Sequence, residues 1–164
     1  MNPWLILFIE CVILCSLFFL MCFLGTGKGK NIASLSSYPK QLQEMIRNDE
    51  RYKDSVRKPA NVWFSLLSNL ILFIAVDFIF GLFLRSKDYV MNFVYLLILG
   101  QTLNLFDLLV IDMLWWRNSK RIRFEGYEDK NLYKDIKLHI YSMLRAIPVF
   151  TLAAAIAGAF LILF

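Results

Sequence analysis

At 164 residues the chain is the length of one domain, and at 59% hydrophobic residues it is too apolar for a water-soluble fold, which averages about 45–50%. Its net charge of +5 sits in two loops, so it speaks for membrane topology and anionic lipid headgroups and against a nucleic-acid partner. Cys11, Cys15 and Cys22 share one apolar block with no His nearby and no C-x-x-C spacing; they read as small helix- or lipid-facing residues, and no metal or cofactor is expected.

Residues 3–24 form the first apolar run, with Glu10 its only charge. A run of that length crosses a hydrocarbon core of about 30 Å. Because no Lys or Arg precedes it and Leu24-Gly25-Thr26-Gly27 makes a poor cleavage site, it reads as a retained helix and not a signal peptide.

Residues 25–60 are polar. Gly25 to Ser37 reads as a flexible connector, and Ser37-Tyr38-Pro39 as a helix start. Leu42, Met45, Ile46, Tyr52 and Val56 then recur at roughly helical spacing among charges. That pattern predicts a short amphipathic helix on the membrane surface or against the bundle, with a solvated helical linker as the alternative. Pro59 should end it.

The second span is 62–84, charged only at Asp77, and the turn Arg85-Ser86-Lys87-Asp88 makes its successor, 89–116, an antiparallel neighbour. A basic stretch, 117–137, precedes a fourth span over 138–164 that carries His139, Arg145 and Pro148. The fold expected is therefore one all-α integral membrane domain of four antiparallel spans. Lys and Arg number eight in 25–60, two in 85–88 and seven in 117–137. By the positive-inside rule 25–60 and 117–137 are cytoplasmic segments, and both termini of this cell-membrane protein face outward.

Helical rise then gives depth. Glu10 and Asp77 each fall roughly 10 Å below the outer boundary, with Gln101 at about 18 Å. Asp107 and Arg145 lie roughly 13 and 10 Å from the inner boundary, which predicts an ion pair between spans three and four. Asp112 and His139 lie closer to the cytoplasm and form a candidate second pair. Gln101, Asn104, Asp107 and Asp112 fall within an arc of about 140° at 100° per residue, a polar face that should point inward. Asp107 and Asp112, at opposite edges of that arc, are poorly placed to share a metal. Trp115 and Trp116 are expected in the interfacial belt, and Pro148 should bend span four.

Three functional readings follow. The first is an oligomeric transporter or channel, with a proton or cation path along Glu10, Asp77, Gln101, Asn104 and Asp107 and with Arg145 as counter-ion. The second is a membrane-embedded enzyme acting on a lipid or lipid-linked substrate at the cytoplasmic face. Its polar cluster would be Asp112, Arg117, Lys120, Arg121, Arg123 and His139, with Asp112 or His139 as general base. The third is a non-catalytic subunit of a larger membrane complex, the polar residues serving as interhelical glue. The Ala153–Ala159 stretch, with Ala154 and Gly158 four apart, suits close helix contact and an oligomer interface. No P-loop, G-x-S-x-G, H-E-x-x-H or dinucleotide motif is present.

Overall fold

A computed structural model describes residues 2–56 and 61–163. Pro59 and Phe164, named above as segment ends, lie outside the described residues. Among those residues the chain is all-helical. Four helices are long and apolar enough to cross a membrane. They are α1 (Pro3–Gly25), α3 (Val62–Leu84), α4 (Tyr89–Phe106) continued by a π-helical segment (Asp107–Trp116), and α5 (Ile136–Leu163). The short helix α2 (Lys40–Asn48) and three 3-10 turns, Asn31–Ser37, Lys53–Ser55 and Lys130–Tyr133, complete the chain.

Each long helix starts on a side-chain cap. Asn2 accepts from the Trp4 amide at 3.0 Å, Asn61 from Trp63 at 2.9 Å and Asp88 from Val90 at 2.8 Å, each supplying an acceptor that the first turn lacks. Buried Asn92 closes the α3–α4 turn. Its Oδ1 takes the Ser86 amide at 2.7 Å while its Nδ2 donates to the Ser86 carbonyl at 3.0 Å.

The bundle core lies between α3, α4 and α5, with α1 packed more lightly on α4 and α3. Leu96, Leu99, Ala154 and Leu161 form its centre, and Phe73 stacks on Phe150 at 4.2 Å. Small residues let the helices close up. A Cβ on Gly158 would stand 3.3 Å from the Phe93 backbone nitrogen, and one on Gly100 would stand 2.9 Å from the Phe150 ring. The alanine stripe is consumed here: Ala153, Ala154 and Ala157 are fully buried within the chain. That side of the stripe is an internal seam, while Ala155 is half-buried and Ala159 exposed. Outward, the helices expose large apolar side chains such as Phe8, Met21, Phe83 and Trp63, the last 80% exposed. Water would penalise such a surface and hydrocarbon would not.

Pro148 removes one amide from the α5 ladder, and α4 answers. Asn104 Nδ2 donates to the Met143 carbonyl at 3.2 Å, and Gln101 Nε2 donates to the Ile147 carbonyl at 3.2 Å. Thr151 Oγ1 also donates to Ile147 O at 2.8 Å. These donors tie α4 to α5 on either side of the proline, on carbonyls other than Leu144 O, the one that the missing Pro148 amide would have met.

The described parts of the two polar connections, 25–56 and 117–137, fold onto each other into a cap with its own core of Leu35, Tyr38, Leu42, Ile46, Trp116, Ile122, Phe124 and Tyr133. The amphipathic segment forms the expected short helix and is not a solvated linker, since Leu42 and Ile46 of α2 are fully buried against the other connection. It also stops at Asn48, because Asp49 takes the Arg51 amide at 2.9 Å and Arg51 Nη2 at 2.6 Å, forming a turn where a longer helix was expected. Hydrogen bonds sew the layers together. Tyr38 donates its hydroxyl to Ile122 O at 2.8 Å, Tyr127 donates to Asp49 Oδ2 at 2.9 Å, and Asn31 Nδ2 donates to Arg121 O at 3.0 Å. Burial, with Tyr133 beside it, pushes the Tyr38 hydroxyl above its usual value, so it stays a proton donor. Gly25–Ser37, expected to be a flexible connector, is ordered by these contacts and by the Asn31–Ser37 turn. Trp116 leaves the expected interfacial belt for the cap, packing on Tyr38 at 5.1 Å between ring centres.

Candidate functional site: a mixed-polarity cavity beneath the cap

α1 reaches α4 and α3 but forms no comparable seam with α5. At the capped end that divergence leaves a cavity of about 840 Å³. Cys22 and Thr26 line it from α1, Ser65 and Asn69 from α3, and Ser34 and Ser37 from the cap. The π-helical segment contributes Asp107, Asp112 and Trp116, and α5 contributes His139, Ser142 and Arg145. Phe18, Phe73 and Val149 give it an apolar wall.

The winding of the π-helical segment decides which carboxylates reach this cavity. At 100° per residue, Asp107 and Asp112 would stand about 140° apart. With i→i+5 hydrogen bonds, residues five apart instead stack one turn above the other. Both carboxylates therefore line the one cavity, and the angular argument against a shared site fails. The wider winding also meets two packing demands at its end: Trp116 enters the cap core while Trp115 lies on Phe19 of α1 at 5.7 Å between ring centres.

Asp112 finds its partner across the cavity wall. Its Oδ2 lies 2.9 Å from His139 Nδ1, with both side chains largely buried. Nδ1 donates to the carboxylate, and in a neutral imidazole ring that tautomer leaves a lone pair on Nε2. Nε2 is buried without a hydrogen-bond partner, and so is the indole Nε1 of Trp116. An unfilled acceptor and an unfilled donor thus belong to two residues of the same cavity, where satisfied polar groups are the rule.

The other expected ion pair does not form. Asp107 and Arg145 both line the cavity, but no salt bridge joins them; Arg145 lies over the Tyr141 ring at 5.6 Å. Depth along two helices places these residues at one level, but depth alone does not bring two side chains into contact. The basic cluster also disperses. Arg121 caps the C-terminus of α1, its Nε donating to Phe23 O at 3.2 Å and Thr26 O at 3.1 Å, with its guanidinium over the Phe23 ring at 4.3 Å. Arg123 donates to Glu128 O at 3.0 Å, Arg117 reaches Met113 Sδ at 3.8 Å, and Lys120 is exposed. None of the four lines the cavity.

The expected ladder through the bundle divides as well. Gln101 and Asn104 tie α4 to α5. Glu10 and Asp77 lie outside the cavity, both buried, with both Glu10 oxygens and Asp77 Oδ2 lacking hydrogen-bond partners. Among the described residues no three His, Cys, Asp or Glu side chains converge as metal ligands. No family model, curated protein or solved structure matches this chain.

Two features escaped the sequence. Trp116 Nε1 belongs to a residue read as an interface marker. Asn31, which bonds to Gly27, Arg121 and Arg123 from one side chain, sits in a stretch that reads as a linker. For Trp116 the available signal was the Trp pair itself, since only one of two adjacent indoles on a helix readily faces lipid.

Proposed function

We propose that this is a multi-pass membrane protein of four antiparallel spans, with the cap in the cytosol, and that the cavity takes a lipid or lipid-linked substrate on which His139 acts as general base. The single observation that carries this reading is the Asp112–His139 contact, 2.9 Å long, with Nε2 unpartnered on a residue of the cavity wall. The positive-inside rule supports the orientation, because both connections forming the cap are basic. The cavity's apolar wall suits acyl chains, and its polar residues suit a headgroup drawn below the surface.

In this mechanism neutral His139 removes a proton from water as the water oxygen attacks the ester carbon of the substrate. Asp112 holds the imidazole in the correct tautomer and stabilises the imidazolium. Nε2 then returns the proton to the departing alkoxide, so hydrolysis leaves acid, alcohol and an unchanged enzyme. The test is product release from a solubilised lipid extract. His139→Gln should lower turnover by about 10²–10⁴-fold with helical content unchanged, and Asp112→Asn should lower it through the wrong tautomer. Absence of wild-type turnover, or undiminished turnover in His139→Gln, sinks the reading.

A second reading has its own support in the buried, unpartnered carboxyl groups of Glu10 and Asp77. It is proton or cation transport, with a second copy or a partner membrane subunit completing a path that four helices enclose poorly. Flux in proteoliposomes should then fall in Asp77→Asn; equal flux in mutant and wild type removes it.

A further inference from the structure

The same cavity holds two opposite charges that are not spent on each other. Among the described residues Arg145 is its only Lys or Arg. Among those residues it has no salt bridge, and its contact is with the Tyr141 ring. Asp107 likewise has no hydrogen-bonded partner or salt bridge among the described residues, whereas Asp112 is committed to His139. The α1 and α3 walls contribute neutral polar groups, among them Thr26, Ser65 and Asn69. An unpaired guanidinium or carboxylate within a membrane is costly, and these two remain separate though they share one chamber. Trp116 Nε1 adds a buried donor with nothing to receive its proton.

A purely anionic headgroup would meet Arg145 but also two carboxylates. A purely cationic one would meet Asp107 but leave Arg145 bare. One headgroup carrying both signs satisfies both residues. We infer that the cavity selects a zwitterionic amphiphile bearing a phosphate and a protonated primary amine, the headgroup chemistry of an aminophospholipid. Arg145 and Trp116 donate to the phosphate oxygens, and Asp107 accepts from the ammonium. Guanidinium suits a phosphate because it presents paired N–H groups in a plane. A primary ammonium is preferred over a quaternary one because only the former has N–H protons to give Asp107. The inference rests on the reading of the cavity as an amphiphile site, and it concerns recognition, not turnover.

The experiment measures thermal unfolding of the detergent-purified chain against phosphatidylethanolamine, phosphatidylcholine, phosphatidylglycerol and soluble phosphoethanolamine. Wild type should be stabilised at the lowest concentrations by phosphatidylethanolamine. Arg145→Gln should weaken its apparent affinity at least about tenfold, with Arg145→Lys restoring part of it. Asp107→Asn should abolish the preference over phosphatidylglycerol and raise the response to that anionic lipid, a gain that misfolding would not produce. Equal responses to the three lipids in wild type overturn the headgroup assignment, even where turnover still depends on His139. Equal stabilisation by soluble phosphoethanolamine overturns the amphiphile. No response to any lipid overturns both the headgroup assignment and the site reading it rests on.

Discussion

The bundle core and the cap core bury different things in different ways. The bundle closes on Gly81, Gly100, Gly158 and the alanines of α5, and its polar residues Gln101 and Asn104 serve the backbone beside Pro148. The cap closes on large aromatic residues, Tyr38, Phe124, Tyr133 and Trp116, whose rings pack edge-on or tilted; the Tyr38 hydroxyl donates to Ile122 O of the opposite connection and the Tyr133 hydroxyl to Tyr127 O of its own. Were the bundle in hydrocarbon, as proposed, apolar surface would gain little by leaving lipid, and close approach and hydrogen bonds would hold the helices together. A cap in water would instead gain directly from burying aromatic area. The candidate site lies where the two cores meet.

If the two cores are independent, each should break alone. Tyr38→Ala removes a fully buried ring and a hydroxyl bonded to Ile122 O, at a cost of about 3–5 kcal/mol. Limited proteolysis should then cut within 25–56 and 117–135 while circular dichroism retains the long helices. One shared loss of both signals would show instead that cap and bundle unfold as a unit. Gly158→Leu is the reciprocal change. It drives a side chain into the backbone at Phe93 and should destabilise the bundle by about 1–3 kcal/mol, the cap keeping its protease resistance.

The smallest effect concerns Asp49. The hydrogen bonds from Arg51, side chain first and then amide, hold its carboxyl well below the usual carboxylate range. The folded value thus lies below the unfolded one, about 3.9, so the stabilisation is complete above that pH and lost as the pH falls toward the folded value. Asp49→Asn should flatten the acid limb of the cap's stability curve and leave that of the bundle unmoved. An unchanged acid limb would place the cap's acid sensitivity elsewhere.

Much of the scaffold was legible beforehand. The spans 3–24, 62–84 and 89–116 match helices at Pro3–Gly25, Val62–Leu84 and Tyr89–Trp116, and the fourth starts two residues early at Ile136. The Asp112–His139 contact was also foreseeable, since both residues fall near one end of adjoining spans. The cap was not. Tyr38 and Ile122 lie 84 positions apart, and neither connection has a repeating pattern that marks the other as its partner.

Apolar length is a local property that accumulates residue by residue, so the sequence alone determined the number of helices long and apolar enough to cross a membrane and which loops are basic. It also determined which side chains are costly inside an apolar bundle. Choosing among the partners of those side chains depended on helix rotation and on winding. A π-helical turn in place of an α-helical one brought Asp107 and Asp112 onto the same cavity, where Arg145 stands without a salt bridge to either. Rotation and winding are settled by packing across the whole molecule, where Trp116 in the cap, Gly158 against Phe93 and Asn104 against the α5 carbonyls act together. Only the tertiary structure contains that sum.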